Sequence, residues 1–227
     1  MTKYKTIAFD LDDTLLDTSG LLVPDASRQA CEAMIDAGLQ CSLDECLRLR
    51  REMAAKHSHT DIFTRIANQF GATQKGKAIH DALERFYNPT VPTFLPLLPG
   101  SLENILNLKS KYNLFLVTMG THETQSQKIK ALGIANHFQK IYILNGFVGE
   151  RKESAFRDII GHSGHSADQM LSIGNRLSSE IRDGKKIGAD TCYFAYGEHL
   201  GEEPQLPEDR PDFTISHHKE LITTCGL

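Results

Sequence analysis

Thr6-Ile7-Ala8-Phe9-Asp10-Leu11-Asp12-Asp13-Thr14-Leu15 is an apolar run that delivers two carboxylates two residues apart, followed by a hydroxyl. On an extended chain the i, i+2 spacing turns Asp10 and Asp12 to the same side. Like charges held that close repel, so such a pair calls for a cation or a shared proton. With a cation at hand, one carboxylate can attack an electrophile while its neighbour handles protons. A strand end running into a solvated acidic turn is the plainer reading of the same residues. The rest of the chain decides between the two.

From Gly100 onward, helix and strand patterns alternate. The spacing predicts helices over 101–111, 121–132, 153–160 and 178–187, with strands over 114–117, 138–144, 170–173, 191–195 and 213–215. Short, continuously apolar strands alternating with helices predict a parallel sheet covered on both faces, and the strand before Asp10 belongs to it by the same criterion. Between residues 25 and 90 only helical patterns occur: 28–37 stops at Gly38, 44–56 follows a capping Ser42, 61–70 stops at Gly71, and 77–86 stops at Asn88-Pro89. Gly20 to Pro24 reads as a turn, and Pro89, Pro92, Pro96 and Pro99 read as a connection back. The expected fold is therefore an α/β, Rossmann-like doubly wound parallel sheet formed by 1–17 and 98–227. An all-helical unit, 18–97, interrupts it. The polar stretch 197–211, with three prolines, reads as an exposed loop.

Composition excludes some functions. Lys+Arg 25 against Asp+Glu 29 gives a net charge of -4, which argues against a nucleic-acid partner bound on a basic face. Any positive counterpart for an anionic substrate must then be local. No apolar stretch approaches the ~20 residues of a membrane span, and Met1-Thr2-Lys3-Tyr4-Lys5 leads straight into a strand without a secretory hydrophobic region. Cys31, Cys41, Cys46, Cys192 and Cys225 are odd in number and lack zinc or CxxC spacing, which predicts reduced thiols and a cytoplasmic location.

Ligands of open α/β sheets sit beyond the carboxyl ends of the strands. Asp10 and Asp12 follow the first strand. Thr118-Met119-Gly120-Thr121 follows the second and opens a helix N-terminus, a ready anion site. Gly149-Glu150-Arg151-Lys152 precedes one helix, and Gly174-Asn175-Arg176-Leu177-Ser178-Ser179-Glu180 follows the strand at 170–173. An acid pair, a hydroxyl, a lysine and a polar pair on one rim would suit a metal and a phosphoryl group.

This order resembles the haloacid dehalogenase superfamily of hydrolases, in the branch with a helical cap inserted after the first motif, and the resemblance covers nearly the whole chain. The first motif, DxDxT, is matched fully by Asp10-Leu11-Asp12-Asp13-Thr14. Thr118 matches the second, a hydroxyl after an apolar strand, with Met119 where Asn often follows. Lys152 matches the third, with Glu153 in place of the usual Pro and Arg151 as the other basic candidate. The fourth, GDxxxxD, is where the chain departs, with Asn175 for the first acid and Glu180 for the second.

The resemblance implies a magnesium-dependent phosphatase of a small phosphomonoester. Asp10 would be the nucleophile, forming an aspartyl-phosphate, and Asp12 the acid and base. Thr118, Met119 and Gly120 would bind phosphoryl oxygens, and Lys152 would neutralise them. Mg2+ would be held by Asp10, the Asp12 carbonyl and Asn175, with Glu180 acting through water. No nucleic acid or membrane partner is implied, and the chain would be a monomer or homodimer. A phosphomutase, a haloacid dehalogenase and a non-catalytic relative are the alternatives, the last motivated by Asn175. In the helical unit, Arg51, His57 and His59 are candidates to meet the rest of the substrate, while His217-His218 reads as a surface pair.

Overall fold

The computed structural model describes residues 3–227, the side chain of Phe147 apart. Along the chain the elements are β1 (Thr6–Phe9), α1 (Thr18–Leu21), α2 (Val23–Asp36), α3 (Leu43–Met53), α4 (His59–Phe70), α5 (Lys75–Tyr87), α6 (Ser101–Leu108) and β2 (Asn113–Met119). There follow α7 (His122–Leu132), β3 (Lys140–Leu144), α8 (Lys152–Ser163), β4 (Met170–Gly174), α9 (Arg182–Ile187), β5 (Asp190–Phe194), β6 (Phe213–Ile215) and α10 (Leu221–Cys225).

Contacts divide the chain into Met1–Asp17 with Pro92–Leu227, and Thr18–Val91. In the first unit, six strands form one sheet in the order β3-β2-β1-β4-β5-β6, and every pairing is parallel. Phe9 stands opposite Leu116 on one side and Ile173 on the other. The chain runs outward from β1 through β2 to β3, then returns and runs the other way from β4. The order thus reverses between β1 and β4, where open sheets of this kind bind ligands. Strand residues alternate between the two faces with period 2. Ile7, Phe9, Leu114, Leu116, Leu171 and Ile173 pack into one apolar cluster, and Ala8, Phe115, Val117 and Met170 into another.

Pro92 onward belongs to this unit because its backbone is stitched to it: Leu95 N–H donates to Ala131 O (3.2 Å) and Leu98 N–H to Leu15 O (2.8 Å). The return boundary thus falls at 91/92 rather than 97/98. The stretch 197–211 is also tied down, contrary to its polar composition. Asp209 is 1% exposed and bonds Arg182 twice (2.6 and 2.8 Å), while also accepting the N–H groups of Gln205 and Leu206 (2.9 Å each). Asp209 points inward and anchors the stretch, while Glu203, Gln205 and Arg210 stay exposed, as its composition predicts. His218 is buried as well, its ring stacked on Phe194 at 4.8 Å and its Nε2 bonded to Thr14 O at 2.7 Å. The surface reading holds for exposed His217 alone.

In the second unit, Ala26, Ala30, Met34, Ile62, Phe63, Ile66 and Phe86 form the core of a helical assembly. The Ser42 hydroxyl accepts Glu45 N–H at 3.3 Å and caps α3 as its position predicts; Ser58 does the same for α4 through Asp61 N–H at 3.2 Å. Of the turn expected over Gly20 to Pro24 only Leu22 remains one, between the end of α1 and the start of α2. Pro24 lies in the first turn of α2, where a missing N–H costs nothing.

Candidate active site

β1 ends at Phe9, so Asp10 to Asp12 lie just past the strand. Asp10 remains pinned to the sheet by its N–H, which donates to Ile173 O at 2.9 Å. The two carboxylates meet different helices. Asp10, 7% exposed, takes the ammonium of Lys152, the first residue of α8. Asp12 takes Lys128 from α7, with Nζ 2.8 Å from Oδ1, and the Gln125 amide at 2.8 Å on Oδ2.

Lys152 is 1% exposed and also holds Glu180, 2.5 Å from Nζ to Oε1. Glu180, expected to reach a metal through water, has one carboxylate oxygen on this lysine. Its other oxygen accepts Arg176 N–H at 3.0 Å. A π-helical turn, Leu177–Ile181, puts Glu180 in this position. The turn needs Gly174: a Cβ there would lie 2.2 Å from Glu180 Cγ. One ammonium cannot neutralise two buried carboxylates equally. Burial pushes Glu180 up, but Lys152 outweighs it and holds Glu180 below the usual carboxylate range. Burial, joined by Glu180 and Asp12, pushes the Asp10 carboxyl up to about 7 against the pull of Lys152. Burial disfavours the Lys152 charge, yet Asp10 and Glu180 together keep its pKa above the ordinary lysine value. Arg151, the other basic candidate, faces away and bonds Asp183 at 2.7 Å.

Thr118, one residue before the end of β2, is fully buried, and its hydroxyl is bonded by Gln125. Thr121 caps α7 by accepting Thr124 N–H at 3.3 Å. Gly120 N–H is committed to Leu144 O at 2.9 Å, which removes it from the donors expected for a phosphoryl oxygen. Met119 gives its carbonyl to Gln125 at 3.2 Å, and its sulfur accepts Ser179 Oγ–H at 3.8 Å. Asn175, 4% exposed, donates from Nδ2 to Tyr196 O at 3.2 Å. A carbonyl only accepts, so this bond fixes the amide nitrogen toward Tyr196 and turns Oδ1 the other way.

The loop after Tyr196 braces the turn that follows Asp12. Asp13 has a left-handed backbone (φ 53°), and its carboxylate accepts Glu198 N–H at 3.3 Å. Only glycine fits at 197, where φ is +77° and a Cβ would lie 2.1 Å from Asp13 Oδ2.

Asp10, Asp12, Asn175 and the Asp12 carbonyl offer hard oxygen donors of the kind magnesium prefers. Three carboxylates (Asp10, Asp12, Glu180) are bonded by two ammoniums (Lys152, Lys128), and burial first, then Glu180 and Asp12, raise the Asp10 carboxyl. The residues present fit a divalent cation. Gln125, Lys128 and Asp13 escape a reading of the sequence by motif. For the two α7 residues the structural mark is that Thr124, Gln125 and Lys128 share its buried face with Ile129 and Ala131.

In the helical unit, Arg51 is exposed and His57 bonds Asp61 at 2.8 Å. His59 bonds Tyr87 OH at 3.0 Å, with Arg50 3.4 Å from its other nitrogen. The two histidines therefore face different partners rather than a shared ligand. An open groove of about 630 Å³ lined by His122, Ile129, Lys130 and Tyr142 contains none of the acidic residues.

The structure is thus a doubly wound parallel α/β core with two lysine-held carboxylates just past its inner strand β1. The model of the haloacid dehalogenase-like hydrolases matches residues 7–194. The chain belongs to that family. It is 28% identical over 225 residues to the glyceraldehyde 3-phosphate phosphatase of Methanopyrus kandleri, covering 96% of this chain and 95% of that one. It is 30% identical over 200 residues to the glyceraldehyde 3-phosphate phosphatase of Pyrococcus abyssi, covering 85% and 82%. Among solved structures, the HAD-hydrolase YfnB of Bacillus subtilis, bound to magnesium, superposes with a TM-score of 0.67 at 21% identity over 97% of each chain. At that identity the likeness concerns the fold. Among the described residues, no helix is long and apolar enough to cross a membrane.

Proposed function

We propose that this chain is a magnesium-dependent phosphatase of a small phosphomonoester, working through an aspartyl-phosphate on Asp10. The observation that carries the reading is the buried Lys152, shared between Asp10 and Glu180 while Asp12 is held separately by Lys128. Asp10 is thus oriented as a nucleophile, and Asp12 is kept apart from it for proton work.

Phosphoryl transfer depends on positioning and charge neutralisation more than on new covalent machinery. An Asp10 oxygen attacks phosphorus, the ester oxygen leaves, and Asp12 gives it a proton. The Asp12 carboxylate then takes a proton from the water that attacks the phosphorus of the aspartyl-phosphate, releasing inorganic phosphate and restoring Asp10. The Thr118 hydroxyl and the N-terminus of α7 receive the phosphoryl oxygens, and Lys152 offsets their charge. Asp10, the Asp12 carbonyl and the Asn175 amide oxygen would hold magnesium, which when bound supplies charge neutralisation beside the phosphoryl group.

The similarity to two glyceraldehyde 3-phosphate phosphatases supports a short, polar, phosphorylated substrate. The test is release of inorganic phosphate from a panel of two- to six-carbon phosphomonoesters, glyceraldehyde 3-phosphate among them, with magnesium and with EDTA. Magnesium-dependent turnover of at least one ester is expected. No turnover of any, by folded protein, would reject the reading.

A further inference from the structure

We infer that Gln125 and Lys128 of α7 are positioning residues that lock the proton-handling Asp12 and the anion-binding Thr118 into one unit. The inference rests on the phosphatase reading for the roles of those two groups.

Gln125 is 1% exposed, and its Nε2 lies within bonding distance of three acceptors: Asp12 Oδ2 (2.8 Å), Met119 O (3.2 Å) and Thr118 Oγ1. Met119 O can only accept, and so can the Asp12 carboxylate beside Lys128, so the amide nitrogen must face this way. Because Nε2 only donates, Thr118 Oγ1 is an acceptor in that bond. Its own hydroxyl hydrogen is therefore turned away from Gln125, in the sense needed to donate to an anion. The same amide fixes one Asp12 oxygen, and the buried Lys128 fixes the other at 2.8 Å. Both oxygens are tied from one helix, which sets the plane of the carboxyl group.

Gln125 and Lys128 are i, i+3 on α7 and so share a face. One helix thus joins the end of β2 to the turn after β1. A displacement of α7 would move donor and acid together, which keeps the phosphoryl oxygens and the leaving oxygen in register.

The test combines two readouts. Protonation matters greatly for an alkyl leaving group and little for 4-nitrophenolate. Lys128→Met should therefore slow the first turnover of glycerol phosphate by ~30-fold or more, within the usual worth of acid–base assistance, with KM changed less than ~3-fold. On 4-nitrophenyl phosphate the first turnover should slow less than ~3-fold, and Lys128→Arg should recover part of the alkyl-ester rate, because the charge returns. Equal losses on both esters would assign Lys128 a merely structural role and overturn the inference. The second readout needs no turnover. Gln125→Glu replaces the donor by an acceptor and should weaken tungstate binding, measured by calorimetry with magnesium, by ~10-fold or more. Lys128→Met should leave that affinity within ~3-fold, as should Lys130→Met at an exposed position of the same helix. Unchanged tungstate binding in Gln125→Glu would also overturn the inference. Wild-type protein inactive on every ester of the panel would instead reject the phosphatase reading, with the tungstate comparison still deciding this one.

Discussion

Replacing Asn175 by Asp sets two effects against each other. The amide donates to Tyr196 O at 3.2 Å from a site only 4% exposed. A carboxylate cannot donate, so the substitution leaves Tyr196 O and one carboxylate oxygen facing each other, at a cost of about 1–3 kcal/mol for buried unsatisfied groups. It also adds a carboxylate to the group of Asp10, Asp12 and Glu180, whose bonded ammoniums are Lys152 and Lys128. Together these should destabilise the metal-free protein by about 2–4 kcal/mol, or about 4–16 °C in the unfolding midpoint of a chain this size. Magnesium should reverse part of the loss. The added charge should tighten its binding by about tenfold, or ~1.4 kcal/mol, and binding to the native state alone adds that much stability. The assay is thermal unfolding of both proteins in EDTA and in saturating magnesium. The variant should melt lower in EDTA and gain more from magnesium. A variant as stable as wild type in EDTA, with an equal magnesium shift, would mean that Asn175 neither braces the Tyr196 loop nor faces the ion.

Asp10 has a folded-state pKa raised to about 7, so the native protein binds more protons than the unfolded chain between the ordinary carboxylate value and that point. Metal-free stability should therefore fall as pH rises from about 4 to about 7 and level off above it, by an order of a few kcal/mol, and Asp10→Asn should remove most of this slope and be inactive; denaturant unfolding in EDTA at several pH values checks both. Lys152→Met strands two buried carboxylates and should cost about 3–5 kcal/mol, read as a lower urea midpoint with unchanged slope. Adding Glu180→Gln to it should recover part of that loss. Asp209→Ala leaves partly buried Arg182 without this partner and should open 197–211 to limited proteolysis, whereas wild type should resist cleavage there.

The sheet was legible because burial imposes periodicity. Ile7 and Phe9 alternate with Ala8 between two apolar clusters, and the short runs at β2 and β4 do the same. Asp10 and Thr118 near strand ends, and Lys152 at a helix start, could be picked out as candidates by residue type and order. What could not be read is which charge meets which. Glu180 reaches Lys152 through a π-helical turn and a missing Cβ at Gly174, features set by backbone geometry rather than by spacing. Gln125 and Lys128 sit in a polar helical stretch, and such stretches default to a solvated face unless something buried needs them. His218 and Asp209 were misread for the same reason, since polar residues near loops bury themselves once a partner such as Thr14 O or Arg182 is present. The Gly120 amide was expected to serve an anion, but register with β3 commits it to Leu144 O.

The central claim is that Asp10 becomes phosphorylated. Borohydride reduces an acyl-phosphate to an alcohol, so quenching the protein during turnover should convert Asp10 to homoserine, which peptide mass spectrometry reads directly. The account predicts homoserine at position 10 only when phosphomonoester and magnesium are both present, and none at Asp12 or Asp13. Sustained turnover with Asp10 unmodified, or with the modification at Asp12, would contradict it.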